Sequence, residues 1–128
     1  MPAHASVRVP IRWRDLDLLG HLNQAVYHEY LEEGRGALMA SLGREHRFPF
    51  VLARVELDYH HEVRRQDREV EVVARVERVG TKSLTVTHEM LLPDGTVAAT
   101  GSSVFVAWDP EKRAARTLTD PERTALEG

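Results

Sequence analysis

Arg14-Asp15-Leu16-Asp17-Leu18-Leu19-Gly20-His21-Leu22-Asn23, followed four residues later by Tyr27, decides how the rest of this chain is read. Two acids, a glycine, a histidine and an asparagine are packed between two periodic segments. On the N-terminal side Val7, Val9, Ile11 and Trp13 alternate with Arg8, Pro10, Arg12 and Arg14, the period of a half-buried strand. On the C-terminal side Val26, Tyr27, Tyr30, Leu31, Gly34, Ala37, Leu38, Ser41 and Leu42 recur at helical spacing. Asn23 is a candidate helix cap and Gly43 a stop, so one long helix of about 18 residues is expected. Its apolar stripe is broad and contains small residues, which lets a sheet approach closely. A loop between such elements presents a carboxylate beside the free amides of a helix start.

Beyond Pro49 the pattern turns to period two. Val51, Ala53, Val55, Leu57 and Tyr59 are expected on one face of a strand. Val70, Val72, Ala74 and Val76 follow on a second, and Leu84, Val86, His88, Met90 and Leu92 on a third. Pro93-Asp94-Gly95 reads as a tight hairpin turn, because Asp and Gly tolerate the positive φ such turns need. A long strand is expected from Thr96 to Trp108, then a turn at Asp109-Pro110-Glu111 and a short strand within residues 114–118. Thr119-Asp120-Pro121-Glu122 opens a small terminal helix. The whole, residues 1–128, reads as a single α+β domain with one long helix and an antiparallel sheet of five to six strands. One helix cannot cover both faces of that sheet, so a homo-oligomer is expected.

Composition excludes several classes. The charge balance of 17 Lys+Arg against 20 Asp+Glu leaves −3, so no bulk field draws the chain to a phosphate backbone. Nucleic acid is therefore not an expected partner. With no cysteine there is neither a thiol nucleophile nor a thiolate metal site. No apolar run approaches a membrane span, and residues 1–6 lack the apolar core of a secretory signal, so a cytoplasmic protein is expected. His60 and His61 are adjacent on a strand and point to opposite faces, and no helical His-x-x-x-His pair exists; no metal site is expected. Gly101-Ser102-Ser103 lacks the Gly-x-Ser-x-Gly elbow of serine hydrolases.

The Asp-x-Asp-x-x-Gly-His-x-Asn-x-x-x-Tyr spacing from Asp15 to Tyr27 resembles the acid loop of the hotdog-fold acyl-CoA thioesterases, in the 4-hydroxybenzoyl-CoA thioesterase-like branch. Val55-Glu56-Leu57-Asp58-Tyr59 resembles that family's second strand. Residues 79–84 resemble its third turn and residues 101–109 its closing strand, so the likeness spans about Val7 to Arg123. The resemblance implies a hotdog fold, with the sheet wrapped around the long helix, assembled at least as a dimer and further as a tetramer. It implies hydrolysis of an acyl-CoA to a free acid and coenzyme A with no cofactor. It assigns Asp17 as the catalytic carboxylate, either general base or nucleophile, with the amides of Gly20, His21 and their neighbours polarising the thioester carbonyl. Lys82, in the turn with Ser83, matches a basic position of the family suited to a coenzyme A phosphate. Arg64 and Arg65 are further candidates for that contact, contributed by a partner subunit. The chain departs from the family where Gln24 replaces a histidine found in some members, and where residues 62–67 replace a Pro and Gly-Asp.

Each residue also has a plainer reading. Before a helix Asp is ordinarily a turn or cap acid, which on pattern alone would cover both Asp15 and Asp17. Asp15 is expected to be structural, a turn acceptor that orients the loop. Asn23 is either the helix cap or an active-site contact, and Tyr27, a candidate for the substrate pocket, also fits core packing. The ring of His21 changes charge near neutral pH and could serve as acid or base. Three rival functions stay open. A hotdog dehydratase or hydratase would place its Asp and His differently, a non-catalytic acyl-CoA-binding protein would not need Asp17, and a purely structural oligomer would not need the polar loop.

Overall fold

The computed structural model describes residues 2–44 and 48–128. Its elements are β1 (His4–Pro10), α1 (Val26–Ser41), β2 (Phe50–Tyr59), β3 (Glu69–Val79), β4 (Ser83–Leu91), β5 (Val97–Asp109), β6 (Ala114–Ala115) and α2 (Asp120–Glu127). The strands form one antiparallel sheet in the order β1-β3-β4-β5-β2, with β6 added to β5. A curled antiparallel sheet carrying one long helix is the hotdog arrangement.

Helix α1 buries Tyr27, Tyr30, Leu31, Gly34 and Leu38 at three- and four-residue steps, and this stripe lies on β1 and β3. Full burial of each large side chain contributes about 1.5–3 kcal/mol. At Gly34 an added Cβ would stand 2.6 Å from the Val72 Cγ1 on β3, so the glycine is what lets helix and sheet touch. The helix stops where Gly43, at φ +89°, turns the chain back. It begins at Val26, where the apolar stripe starts, but Asn23 is not its cap. The cap position is Ala25, and Asn23 instead accepts the Ala25 N–H at 2.9 Å, bracing the turn before the helix.

Strand β2 departs from simple alternation. A bulge between Leu52 and Arg54 inserts one residue, so Phe50 and Leu52 share the inner face with Val55, Leu57 and Tyr59, while Val51 faces outward. Periodicity read over the whole strand instead groups Val51 and Ala53 with Val55. The strand is also an edge, and its Leu52 and Tyr59 remain 46% and 45% exposed.

The sheet has two distinct ends. Pro10, Glu69, Leu91 and Tyr59 lie at the end bearing the acid loop, by the pairings Pro10–Glu69, Leu91–Val97 and Tyr59–Ala99. Val79, Ser83 and Phe50 lie at the other. That second end is closed by α2, which buries Leu126 and is capped by Thr119 and Glu122 bonding each other's backbone. The 11 residues of β3 connect the two ends, a span of about 33 Å at 3.3 Å per residue. Among the described residues, no helix is long and apolar enough to cross a membrane.

Candidate active site

Residues 12–23 leave β1 and fold back on themselves before entering α1. A short 3-10 turn at residues 13–15 drops the Asp15 side chain into the interior, where it is 1% exposed. There it accepts hydrogen bonds from the Arg12 backbone (3.0 Å), the Arg12 Nε (3.1 Å) and the Tyr30 hydroxyl (2.5 Å). Burial alone would raise its pKa. The donors from Arg12 and Tyr30 outweigh that and hold the carboxyl below the usual carboxylate range. Burial and Asp15 together push the Tyr30 phenol up, so it stays a donor. The Asp15 carbonyl also accepts the Asn23 N–H at 2.8 Å. This is the structural acid that its position promised.

Asp17 sits where the loop reverses. Gly20, at φ +77°, permits the reversal, which a side-chain-bearing residue would adopt only with strain. The Asp17 backbone bonds that of His21 and Gly20, and its Oδ1 accepts the N–H groups of Leu19 at 2.9 Å and His21 at 3.1 Å. Those contacts pin one oxygen. The other has no hydrogen-bond partner among the described residues. The loop is fastened to the segment after β2, since Leu22 N–H donates to Val63 O at 2.7 Å and His21 bridges Arg64.

This bonding corrects one sequence-based expectation. The amides of Gly20 and His21 are both consumed by Asp17, so neither is free to meet a carbonyl. Between Leu19 and Val26 every backbone N–H has an acceptor except that of Gln24. Gln24, which precedes the cap of α1, lines the same cavity as Asp17. In the sequence Gln24 stands out by side chain only as a departure from a histidine, and its amide is one of the neighbours of Gly20 and His21. Finding the amide requires knowing which of its neighbours are already bonded.

The cavity beside Asp17, about 420 Å³, is lined by Leu22, Tyr27, Tyr59 and His60 along with His21, Gln24, His61 and Glu62. Tyr27 packs edge-on against Tyr59 with ring centroids 4.8 Å apart, serving both core and cavity wall. Burial raises its pKa, and Tyr59 and Asp17 add to the shift. The His21 Nε2 meets the Glu62 Oε2 at 2.8 Å, and Glu62 approaches the Arg64 Nε at 3.4 Å. No spacing in the sequence links His21 to Glu62, because their meeting depends on the Leu22–Val63 contact.

A second cavity, about 720 Å³, opens on another flank of the loop. Its lining includes Trp13, Leu19, Gly20, Asn23, Arg64 and Arg65, with Asp17 shared between the two. Arg64 and Arg65 therefore reach the loop from the same chain, where a partner subunit had been expected to supply them. Lys82 and Ser83 do not join this constellation. They belong to the β3–β4 turn at the far end of the sheet, where the Lys82 carbonyl accepts from Ala107 and the Ser83 carbonyl from Gly80. Within one chain, Asp17, Gly20, His21, Asn23, Tyr27, Arg64 and Arg65 come together and Lys82 with Ser83 stands apart.

Among known proteins, the thioesterase-like superfamily profile matches residues 11–125, which includes the acid loop and all the strands after β1. The chain belongs to the thioesterase-like superfamily. It is similar to the thioesterase from Thermus thermophilus solved with coenzyme A and Zn, at 33% identity and TM-score 0.85 over 95% of this chain and 90% of that one. It shares 27% identity with YsmA, an uncharacterised protein of Bacillus subtilis strain 168, over 93% of this chain and 82% of the relative. The Staphylococcus aureus DHNA-CoA thioesterase, 17% identical with TM-score 0.84 over 95% of this chain and 87% of that one, shares the fold.

Proposed function

We propose that this protein is an acyl-CoA thioesterase that releases a free acid and coenzyme A, with Asp17 as its reactive carboxylate. One observation carries the reading. The loop pins a single oxygen of Asp17 with two amides and leaves the other uncommitted, beside a cavity also lined by Gln24, whose N–H has no acceptor among the described residues. A thioester needs an attacking oxygen and a donor to its carbonyl, and this pair provides both.

As general base, Asp17 takes a proton from a water whose oxygen attacks the carbonyl carbon. The Gln24 N–H donates to the oxyanion that forms, a stabilisation worth roughly 10²–10³ in rate per donor in acyl-transfer enzymes. The C–S bond then breaks, and the thiolate recovers the proton held by Asp17. As nucleophile, Asp17 instead attacks the carbon itself and expels the thiolate. Water then cleaves the resulting anhydride, restoring the carboxylate. The chemistry needs no resident cofactor by either route.

The proposed assembly is a dimer joined along the β2 edges and paired further into a tetramer. The open edge with exposed Leu52 and Tyr59 supports this, since an unpaired strand with apolar side chains favours a partner. Tyr59 also lines the Asp17 cavity, so the seam would close the acyl site. A Lys82 contact with substrate would have to come from the second copy. The test is thiol release by the purified protein across a panel of aromatic, short-chain and long-chain acyl-CoAs. Turnover on at least one class is expected, and none across the panel would overturn the proposal.

A further inference from the structure

The two cavities flanking Asp17 differ in charge. The first carries Glu62 and the tyrosines, whereas the second carries Arg64 and Arg65 with no acid but Asp17 itself. A thioester placed with its carbonyl at Asp17 must send one arm each way. If its longer arm is polyanionic, only the arginine side compensates that charge.

That side also holds an unexplained aromatic. Trp13 is 73% exposed and lines this cavity together with the exposed Leu18 and Leu19, so the three form an apolar patch of the kind that marks a binding surface. One face is occupied by Arg65, whose Cζ lies 4.6 Å from the ring centroid. Arg65 has no carboxylate partner among the described residues, so its charge is not spent on a neighbour. The same wall holds Leu16 and Leu19, and the place where a Cβ of Gly20 would project has no atom within 4 Å. Aromatic surface, free cation and apolar side chains thus line one cavity together with the reactive carboxylate.

We infer that this second cavity seats the nucleotide arm of the thioester, with Trp13 as the stacking surface for the purine and Arg65 and Arg64 as phosphate contacts. The inference rests on the proposed thioesterase reading and adds the direction in which substrate lies. The acyl group enters the tyrosine-walled cavity, and the uncharged part of the arm passes Leu16, Leu19 and Gly20. Base-on-aromatic stacking needs only a π-face, while the phosphates need charge; the two variants below separate these contributions.

Isothermal titration with free coenzyme A and with pantetheine, which lacks the nucleotide, tests this without any turnover. Trp13→Ala should weaken coenzyme A binding at least about tenfold, Trp13→Phe should restore most of it, and the affinity for pantetheine should follow neither change. Arg65→Gln should weaken coenzyme A with a dependence on salt that Trp13→Ala does not share. Coenzyme A affinity unchanged in Trp13→Ala, or equal losses for coenzyme A and pantetheine, would overturn the inference. Hydrolysis of an acyl-pantetheine by the unmodified protein separates this from the underlying reading, because that substrate uses Asp17 and never enters the nucleotide seat. Turnover there with an unaltered Trp13→Ala titration would leave the thioesterase standing and remove the seat. A nucleotide-dependent titration with no hydrolysis of any thioester would do the reverse.

Discussion

Asp15 and Asp17 are the same residue two positions apart in one loop, yet they occupy opposite environments. The half of the loop around Asp15 faces inward. It is closed by Arg12, Tyr30 and Asn23, and every feature of it serves to fix geometry. The half around Asp17 faces two cavities, and among the described residues the Asp17 side chain is held only by amides of its own turn. A carboxylate that is buried with its donors satisfied is a structural part, and one with a spare oxygen at a cavity is free for the reactive role proposed for Asp17. The difference lies in who donates to each oxygen, and residue type carries none of it.

The largest effect expected concerns Gln24, the proposed carbonyl donor that lines the Asp17 cavity. Gln24→Pro deletes an N–H that has no acceptor among the described residues, at a position just outside the helix where proline is tolerated. Its kcat should fall about 10²–10³-fold below that of Gln24→Ala, which keeps the N–H. Equal rates for the two would move the oxyanion contact elsewhere.

The next effect falls on stability. Asp15→Asn removes the charge that satisfies Arg12 and Tyr30, and should cost about 1.5–3 kcal/mol, seen as a loss of about 5–10 °C in Tm. Its kcat should suffer far less than that of an Asp17 variant. The pH dependence follows from the lowered pKa of Asp15. The unfolded chain takes up the proton first, so this stability is complete above the ordinary carboxylate range and fades as pH falls toward the lowered value. Thermal melts of Asp15→Asn should therefore show a shallower acid decline than wild type, and a parallel decline would place the acid sensitivity elsewhere.

The smallest effect belongs to the far end of the sheet. Lys82 lies in the turn between β3 and β4, at the end of the sheet opposite the acid loop, and its proposed contact is with substrate held by a second copy. Lys82→Ala should raise KM for acyl-CoA by no more than about fivefold, near 1 kcal/mol, with kcat unchanged. An equal effect on an acyl-pantetheine would make Lys82 structural.

Much of this was legible in the chain itself. Period two in residues 70–92, the helical stripe from Tyr27 to Leu38 and the Pro93-Asp94-Gly95 turn all follow from local rules, and the structure has those elements where the patterns put them. The acid loop was legible as a site because its polar residues interrupt two regular segments. What stayed hidden depended on contacts between distant segments. The β2 bulge has no residue signal, since Ala53 fits strand alternation as well as insertion. The pairing of His21 with Glu62 and the engagement of the Gly20 and His21 amides arise only when residues 16–22 fold against residues 62–64. Lys82 was grouped with the acid loop by resemblance, and only strand register reveals which end of the sheet its turn occupies.

The most direct test of the account is thiol release from the best acyl-CoA substrate by Asp17→Asn, measured beside wild type on protein with the same melting temperature. Asparagine keeps the size of the side chain and an oxygen for the Leu19 and His21 amides, but it can neither accept a proton from water nor attack a thioester. The account predicts turnover at least about 10²-fold below wild type with the fold intact. Turnover within a few-fold of wild type by the folded variant would contradict it.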